Sequence, residues 1–234
     1  MPEDQGRISR VTRSREEARA SYDRMSNWYD AIAGHSEQRY VQVGLQRLGA
    51  QAGERILEIG FGTGHAILAL AHRVARSGKV YGLDISEGML NVTQKKVRQA
   101  GLSDRVELRR GDATQLPFKD GFFDAVFMSF ALELFDTAEI PTVLQECKRV
   151  LRSGGRLAVV AMSKEGKPGL MLKLYEWAHE QFPAYVDCRP IFVQEALQDT
   201  GLRIVHATTM SMWGLPVAVV LSLKNGCSLE DQDV

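Results

Sequence analysis

Cysteine is scarce and scattered in this chain: Cys147, Cys188 and Cys227 are odd in number and far apart. That excludes a disulfide framework and the paired spacings of a zinc site, and it fits a reducing, cytoplasmic setting. An excess of charge of one sign is also missing, with 29 Lys and Arg against 29 Asp and Glu and a pI near 7.0. The only basic bias, Arg7, Arg10, Arg13 and Arg15, is answered at once by Glu16 and Glu17. A nucleic-acid partner, which a basic stripe would hold, is therefore not expected. No apolar run approaches the roughly 18 residues of a membrane span. The longest, near Leu215 to Leu221, suits a strand. The charged start lacks the apolar stretch of a signal peptide. No cluster of His, Cys and Asp has metal-ligand spacing, so no metal is expected, and no internal repeat or low-complexity tract interrupts the pattern. What remains, at 234 residues and 44% hydrophobic, is the make-up of one domain with a substantial core.

Glycine is present where it counts. Residues 57–64 read Leu57-Glu58-Ile59-Gly60-Phe61-Gly62-Thr63-Gly64, and Asp84 closes the next apolar run, Lys79-Val80-Tyr81-Gly82-Leu83. The spacing predicts a buried strand over Arg55–Ile59 turning sharply into a helix from about His65 to Arg76. Glycines permit positive φ and let backbone approach a ligand without a Cβ in the way, and the helix start offers free N–H groups. The dinucleotide fingerprint G-x-G-x-x-G/A fails in both registers, since His65 or Ile67 stands at the sixth position. In its place a carboxylate, Glu58, precedes the glycines by two residues. It would repel a pyrophosphate and suits a cationic amino group. S-adenosylmethionine carries an ammonium, a ribose and an adenine and no phosphate, so it is the cofactor these residues favour. A purely structural or phosphate-binding turn is the alternative. Asp84 is placed to accept from ribose hydroxyls.

Further pieces follow in order. Ser86 can cap the next helix, and Met89 one turn later lies either against an adenine face or in ordinary core. Asp112, after the short strand Val106-Glu107-Leu108, can accept from the adenine amine or serve as a turn aspartate. Ile85 and Ala113 flank these acids, and Ser129 ends a fourth strand in Phe123-Asp124-Ala125-Val126-Phe127-Met128-Ser129. Ligands of open α/β sheets sit at such carboxyl ends. The cofactor-binding set is thus Glu58, Gly60, Gly62, Gly64, Asp84, Ile85, Met89, Asp112, Ala113 and Ser129. The segments 57–64, 82–90, 111–118 and 123–130 resemble those of class I S-adenosylmethionine-dependent methyltransferases, over about residues 20 to 224. The resemblance implies a Rossmann-like α/β fold: a seven-stranded, mostly parallel sheet with an antiparallel edge hairpin, helices on both faces and an N-terminal helical lid. Tyr22-Asp23-Arg24-Met25-Ser26-Asn27-Trp28-Tyr29-Asp30 is similar to the ubiquinone/menaquinone C-methyltransferases. That likeness points to Tyr22 as a residue closing the cofactor pocket; packing of a helix by Tyr22, Met25 and Tyr29 is the plainer reading.

The remaining pattern divides the chain into an arm (1–15), lid helices (16–50), the cofactor domain (51–224, with a substrate cover at about 163–192) and a polar tail (225–234). Helices are expected over Glu37–Leu48, with Val41, Leu45 and Leu48 on one stripe, over Ala138–Leu151 stopped by Ser153-Gly154-Gly155, and over Ile191–Thr200 with Gly201 as C-cap. The fifth strand is expected at Arg156–Ala161, and Leu202–Thr208 and Val217–Leu223 as an antiparallel pair. Methyl transfer from a sulfonium is an in-line displacement in which protein supplies mainly alignment and shielding. An apolar, aromatic cover suits a small lipophilic acceptor such as a quinone precursor, with transient membrane contact left open. A phospholipid or secondary-metabolite acceptor is the alternative, as is a module that binds the cofactor without turnover. The chain departs from the quinone group at Met210-Ser211-Met212-Trp213-Gly214-Leu215-Pro216, where those enzymes carry a glycine-rich turn. Candidates for proton transfer or acceptor contact are His179, Glu133 and Arg189; a structural histidine and a paired arginine are the plainer alternatives.

Overall fold

The computed structural model describes residues 34–165 and 189–225. The arm, the N-terminal part of the lid with Tyr22, the segment carrying His179 and Cys188, and the tail lie outside the described residues. The elements run α1 (Gly34–Leu48), β1 (Arg55–Ile59), α2 (His65–Arg73), β2 (Lys79–Asp84), α3 (Glu87–Gln99), β3 (Val106–Arg110), β4 (Phe123–Ser129), a 3-10 turn (Leu132–Leu134), α4 (Ile140–Val150), β5 (Leu151–Met162), α5 (Val193–Asp199), β6 (Arg203–Met212) and β7 (Leu215–Leu223). The sheet order is β3-β2-β1-β4-β5-β7-β6. Strands β1 to β5 pair in parallel, and β7 is antiparallel to both β5 and β6. The chain moves outward from β1 to β3 and then returns to β4 on the other side of β1, so the crevice between β1 and β4 is the topological switch point.

The central strands read as near-continuous apolar runs because both faces are covered. Side chains alternate along β4: Ala125 and Phe127 join Leu45, Ile67, Leu70 and Val160 on one face, while Val126 and Met128 join Val143, Leu144, Val159 and Leu197 on the other. Helix α1 buries Tyr40, Leu45 and Leu48. It approaches the sheet so closely that a Cβ on Gly44 would stand 2.4 Å from Val160 Cγ2. Its open C-terminal carbonyls are satisfied by Arg156, which donates to Leu48 O and Gly49 O and grips both oxygens of Glu54 at 2.8 and 2.7 Å.

Several expected boundaries shift, among them β5, which begins at Leu151, and β6, which runs on to Met212. Helix α2 ends at Arg73, short of Arg76, because Ala75 takes φ 57 and closes the helix early. Helix α5 is shorter than expected, with Thr200 as its C-cap and Gly201 just beyond it at φ 76. The Ser153-Gly154-Gly155 run does not stop a helix: α4 ends at Val150 and the run lies inside β5. Gly154 donates to Lys224 O at 3.1 Å, and Lys224 N–H donates to Gly155 O at 2.8 Å. Pairing with the residue after β7 holds the glycines in the sheet, as a bulge opposite Phe123 and Ala125. The Met210–Pro216 segment is a hairpin, with Trp213 and Gly214 both at positive φ (52 and 83) between Met212 and Leu215, the arrangement of a type I′ turn. Among the described residues no helix is long and apolar enough to cross a membrane, and no acidic, Cys or His group could hold a metal.

Candidate functional site

Strand β1 delivers Glu58 to the carboxyl edge of the sheet, beside Phe127 of β4 and Gly82 of β2. The chain then folds back over three glycines, each at positive φ: 69 at Gly60, 50 at Gly62 and 84 at Gly64. The loop is tied down from several sides. Gly60 N–H donates to Leu83 O at 2.8 Å, and Gly64 N–H donates to Phe61 O at 2.9 Å. Thr93 Oγ1 on α3 donates to Gly62 O at 2.7 Å. Asp84 accepts from Gly62 N–H through one carboxylate oxygen and from Ser86 N–H through the other, both at 2.9 Å. Each of those oxygens has a second lone pair, so Asp84 can hold the loop and still accept from a ribose hydroxyl.

The glycines differ in what surrounds them. A Cβ on Gly60 would fall 2.5 Å from Ala131 Cβ, and one on Gly64 would fall 2.4 Å from Thr93 Cγ2. Gly62, by contrast, has nothing among the described residues within 4 Å of that position. Gly60 and Gly64 are small because protein packs against them, whereas Gly62 faces open space, as a ligand cradle requires. Gly62→Ala should therefore cost about 1 kcal/mol of stability from its positive φ while blocking cofactor binding. Gly64→Ala should cost about 2–4 kcal/mol, strain plus overpacking. Denaturant unfolding alongside cofactor calorimetry separates the two, and equal stability losses would remove the distinction.

Glu58 is buried, and its Oε2 has no hydrogen-bond partner among the described residues. Burial holds its carboxyl well above the usual carboxylate range, and the negative charge of Asp84 raises it further. Two acids meet here, and among the described residues no cation acts on Glu58. A buried, unpaired carboxylate is expensive, and a ligand ammonium is the group that would complete it. The orphaned oxygen and the open face of Gly62 together fit the amino-acid and adenosyl parts of S-adenosylmethionine.

Most other sequence-derived positions gather at this edge. Ser86 caps α3, accepting from Met89 N–H at 3.1 Å. Met89 is buried with the core residues of its face, so its packing is now explicit. Asp112 shapes a turn, accepting from Thr114 N–H at 2.9 Å; its neighbour Ala113 is buried, and Ile85 is half-buried. Ser129 ends β4 half-buried, and Phe130 follows at φ 50. Glu133 and Arg189, far apart in sequence, come together. Glu133 is fully buried and accepts from Met162 N–H at 3.0 Å. Buried Arg189 donates to Thr137 Oγ1 at 2.7 Å and to Phe135 O. Desolvation holds the Arg189 guanidinium below its ordinary range, and Asp136 and Glu133 oppose that shift. Sequence reasoning missed Thr93 and Ala131, which position the loop. Thr93 lies one turn beyond Met89 on the same buried helix face, the one local signal that pointed to it.

The switch-point crevice thus brings together the buried carboxyls of Glu58 and Asp84 and the open face of Gly62, an arrangement that fits a cationic nucleoside ligand. Residues 56–155 match the family model described as a methyltransferase domain. The chain is 38% identical over 160 residues to a demethylmenaquinone methyltransferase of Geobacillus kaustophilus, covering 68% of this chain and 66% of that one. It is 34% identical over 191 residues to one of Lactobacillus johnsonii, covering 81% and 76%. A solved S-adenosylmethionine-dependent methyltransferase from Aquifex aeolicus is 26% identical, with a TM-score of 0.60 over 78% of this chain and 88% of that one. The chain belongs to the class I S-adenosylmethionine-dependent methyltransferases, near the demethylmenaquinone and ubiquinone/menaquinone C-methyltransferases. It spans a little under two thirds of the length of several of these relatives, 59 to 66% for four of them.

Proposed function

We propose that this protein transfers a methyl group from S-adenosylmethionine to a small lipophilic acceptor of the quinone-precursor class. The observation that carries the donor half is the buried, unpartnered Oε2 of Glu58. The acceptor half is supported by the relatives' names and by the apolar character of the carboxyl edge from β4 towards β7, where Phe130, Met162, Met212 and Leu215 are buried in one core cluster. When bound, the cofactor supplies an already activated methyl. The protein's own residues would then bind and align: Glu58 holds the ammonium, Asp84 the ribose, Asp112 the adenine amine, and the glycine loop excludes water from one side. Tyr22 would close the pocket. Glu133 and Arg189, each buried and engaged by backbone or hydroxyl groups, are assigned to the floor on the acceptor side. We assign the protein to the cytoplasm, working as a soluble enzyme.

The test is a screen for S-adenosylhomocysteine release with the full chain against demethylquinones, phospholipids and small phenols. Turnover is expected with a demethylquinone. Turnover only with phospholipids would replace the acceptor class, and cofactor binding without release from any acceptor would replace catalysis with a binding role.

A further inference from the structure

The β6–β7 hairpin ends at the same edge of the sheet as the cofactor site. Strand β6 runs parallel to β5, since both are antiparallel to β7, and Ser163 N–H at the end of β5 donates to Pro216 O at 2.8 Å. The tip is tied to the acceptor side by Tyr40, which donates to Ser211 O at 2.5 Å and meets Phe130 edge-on at 6.5 Å. From β1 to β7 is three strand spacings, about 14 Å.

At that tip stands Trp213, 72% exposed and at φ 52. A type I′ turn favours Asn, Asp or Gly at its first central position. A bulky residue in the left-handed region costs of order 1 kcal/mol or more, and this one recovers little by packing. The chain thus carries an exposed, strained tryptophan where a small polar residue would be more stable. Charged residues are absent from Ala207 through Leu223, which spans the outer part of β6, the turn and all of β7.

We infer that the Trp213 hairpin tip docks on the headgroup interface of a lipid bilayer, placing the acceptor side of the site where a lipophilic acceptor resides. The inference rests on the acceptor class proposed above. Indole suits that interface because its ring is apolar and its N–H remains hydrated. A protein partner fits less well. Such an interface needs about 800 Å² per side with a contiguous apolar centre. The only other exposed large hydrophobic side chain among the described residues is Val205, 42% exposed, which lies about 27 Å back along β6. With no charge from Ala207 through Leu223, attachment is set by indole insertion rather than by anionic lipid, and one aromatic anchor gives a weak, reversible contact.

Sedimentation of the full chain with phosphatidylcholine vesicles tests this. Binding is expected to be unchanged by raising the salt. Trp213→Asn, which fits the turn better and so folds, should lower the partition coefficient about tenfold or more, and Trp213→Phe should restore most of it. Equal partition of wild type and Trp213→Asn overturns the proposal. So does binding lost at high salt, or self-association removed by Trp213→Asn without any vesicle binding. Vesicle binding that depends on Trp213, in a protein that methylates no quinone precursor, would leave the docking in place and defeat the acceptor class alone.

Discussion

Glu58→Gln is expected to weaken S-adenosylmethionine binding by about 30- to 1000-fold, the roughly 2–4 kcal/mol lost when one partner of a buried charge pair is removed. The same substitution should make the ligand-free protein more stable. In the unfolded chain Glu58 titrates in the ordinary carboxylate range; in the fold, burial and then Asp84 raise it. Below its unfolded pKa it is protonated in both states and contributes no penalty. As pH rises through its raised folded pKa, the fold must bury an unpaired charge, and stability is lost across that window. Glutamine is nearly isosteric and never charges, so the variant escapes the loss. Thermal unfolding at neutral pH should show a gain of about 1–2 kcal/mol without ligand. Binding should also be proton-linked. An ammonium needs the ionised carboxylate, so wild-type affinity rises with pH through the raised pKa and a proton is released on binding. Calorimetry in buffers of different ionisation enthalpy reads that proton directly, and it should vanish in the variant. Undiminished affinity in Glu58→Gln would sink the assignment. Asp84→Asn is not an equivalent probe, because both Asp84 oxygens accept loop N–H groups and an amide supplies only one acceptor oxygen.

The contrast between Glu58 and Arg189 shows which parts of the molecule can be read from sequence. The cofactor loop is legible because its chemistry is local: strand, acid, glycines and helix start are consecutive, and the ligand-facing groups sit at strand ends by rule. The strand and helix order and the antiparallel edge pair followed from the same short-range patterns. The misreading of Ser153-Gly154-Gly155 has the opposite cause. Gly-rich runs do end helices locally, but here Lys224, distant in sequence, supplies the backbone groups that extend the sheet through them. The Arg156–Glu54 grip on α1 and the Thr93 bond to Gly62 are invisible for the same reason. The Gly60 to Ala131 contact also depends on a loop from another strand. Met210–Pro216 was notable in sequence only as a departure from a family pattern. Its meaning, an exposed indole at the acceptor edge, exists only once β6 and β7 are paired.

Arg189→Met is expected to destabilise the protein by about 3–5 kcal/mol, the usual cost of removing one member of a buried, hydrogen-bonded charge cluster. At about 2–4 °C per kcal/mol for a domain of this size, the midpoint should fall by roughly 6–20 °C. The side chain is among the largest fully buried ones. Its loss strips the donor from Phe135 O and Thr137 Oγ1 and removes the positive charge that acts on Glu133 and Asp136. Methionine keeps much of the volume, so a cavity contributes little and the loss reports the polar interactions. If the Glu133 carboxylate is what suffers, Glu133→Gln in the Arg189→Met background should cost less than in wild type, a coupling of about 1–2 kcal/mol in a double-mutant cycle. Glu133 also accepts the Met162 N–H at the end of β5, so the cluster fastens the loop after β4 to the strand that carries the acceptor edge. Urea unfolding of the two single variants and the double variant measures all three terms. A loss below about 1 kcal/mol in Arg189→Met, with turnover abolished at unchanged cofactor affinity, would move Arg189 from the floor of the site to direct contact with the acceptor.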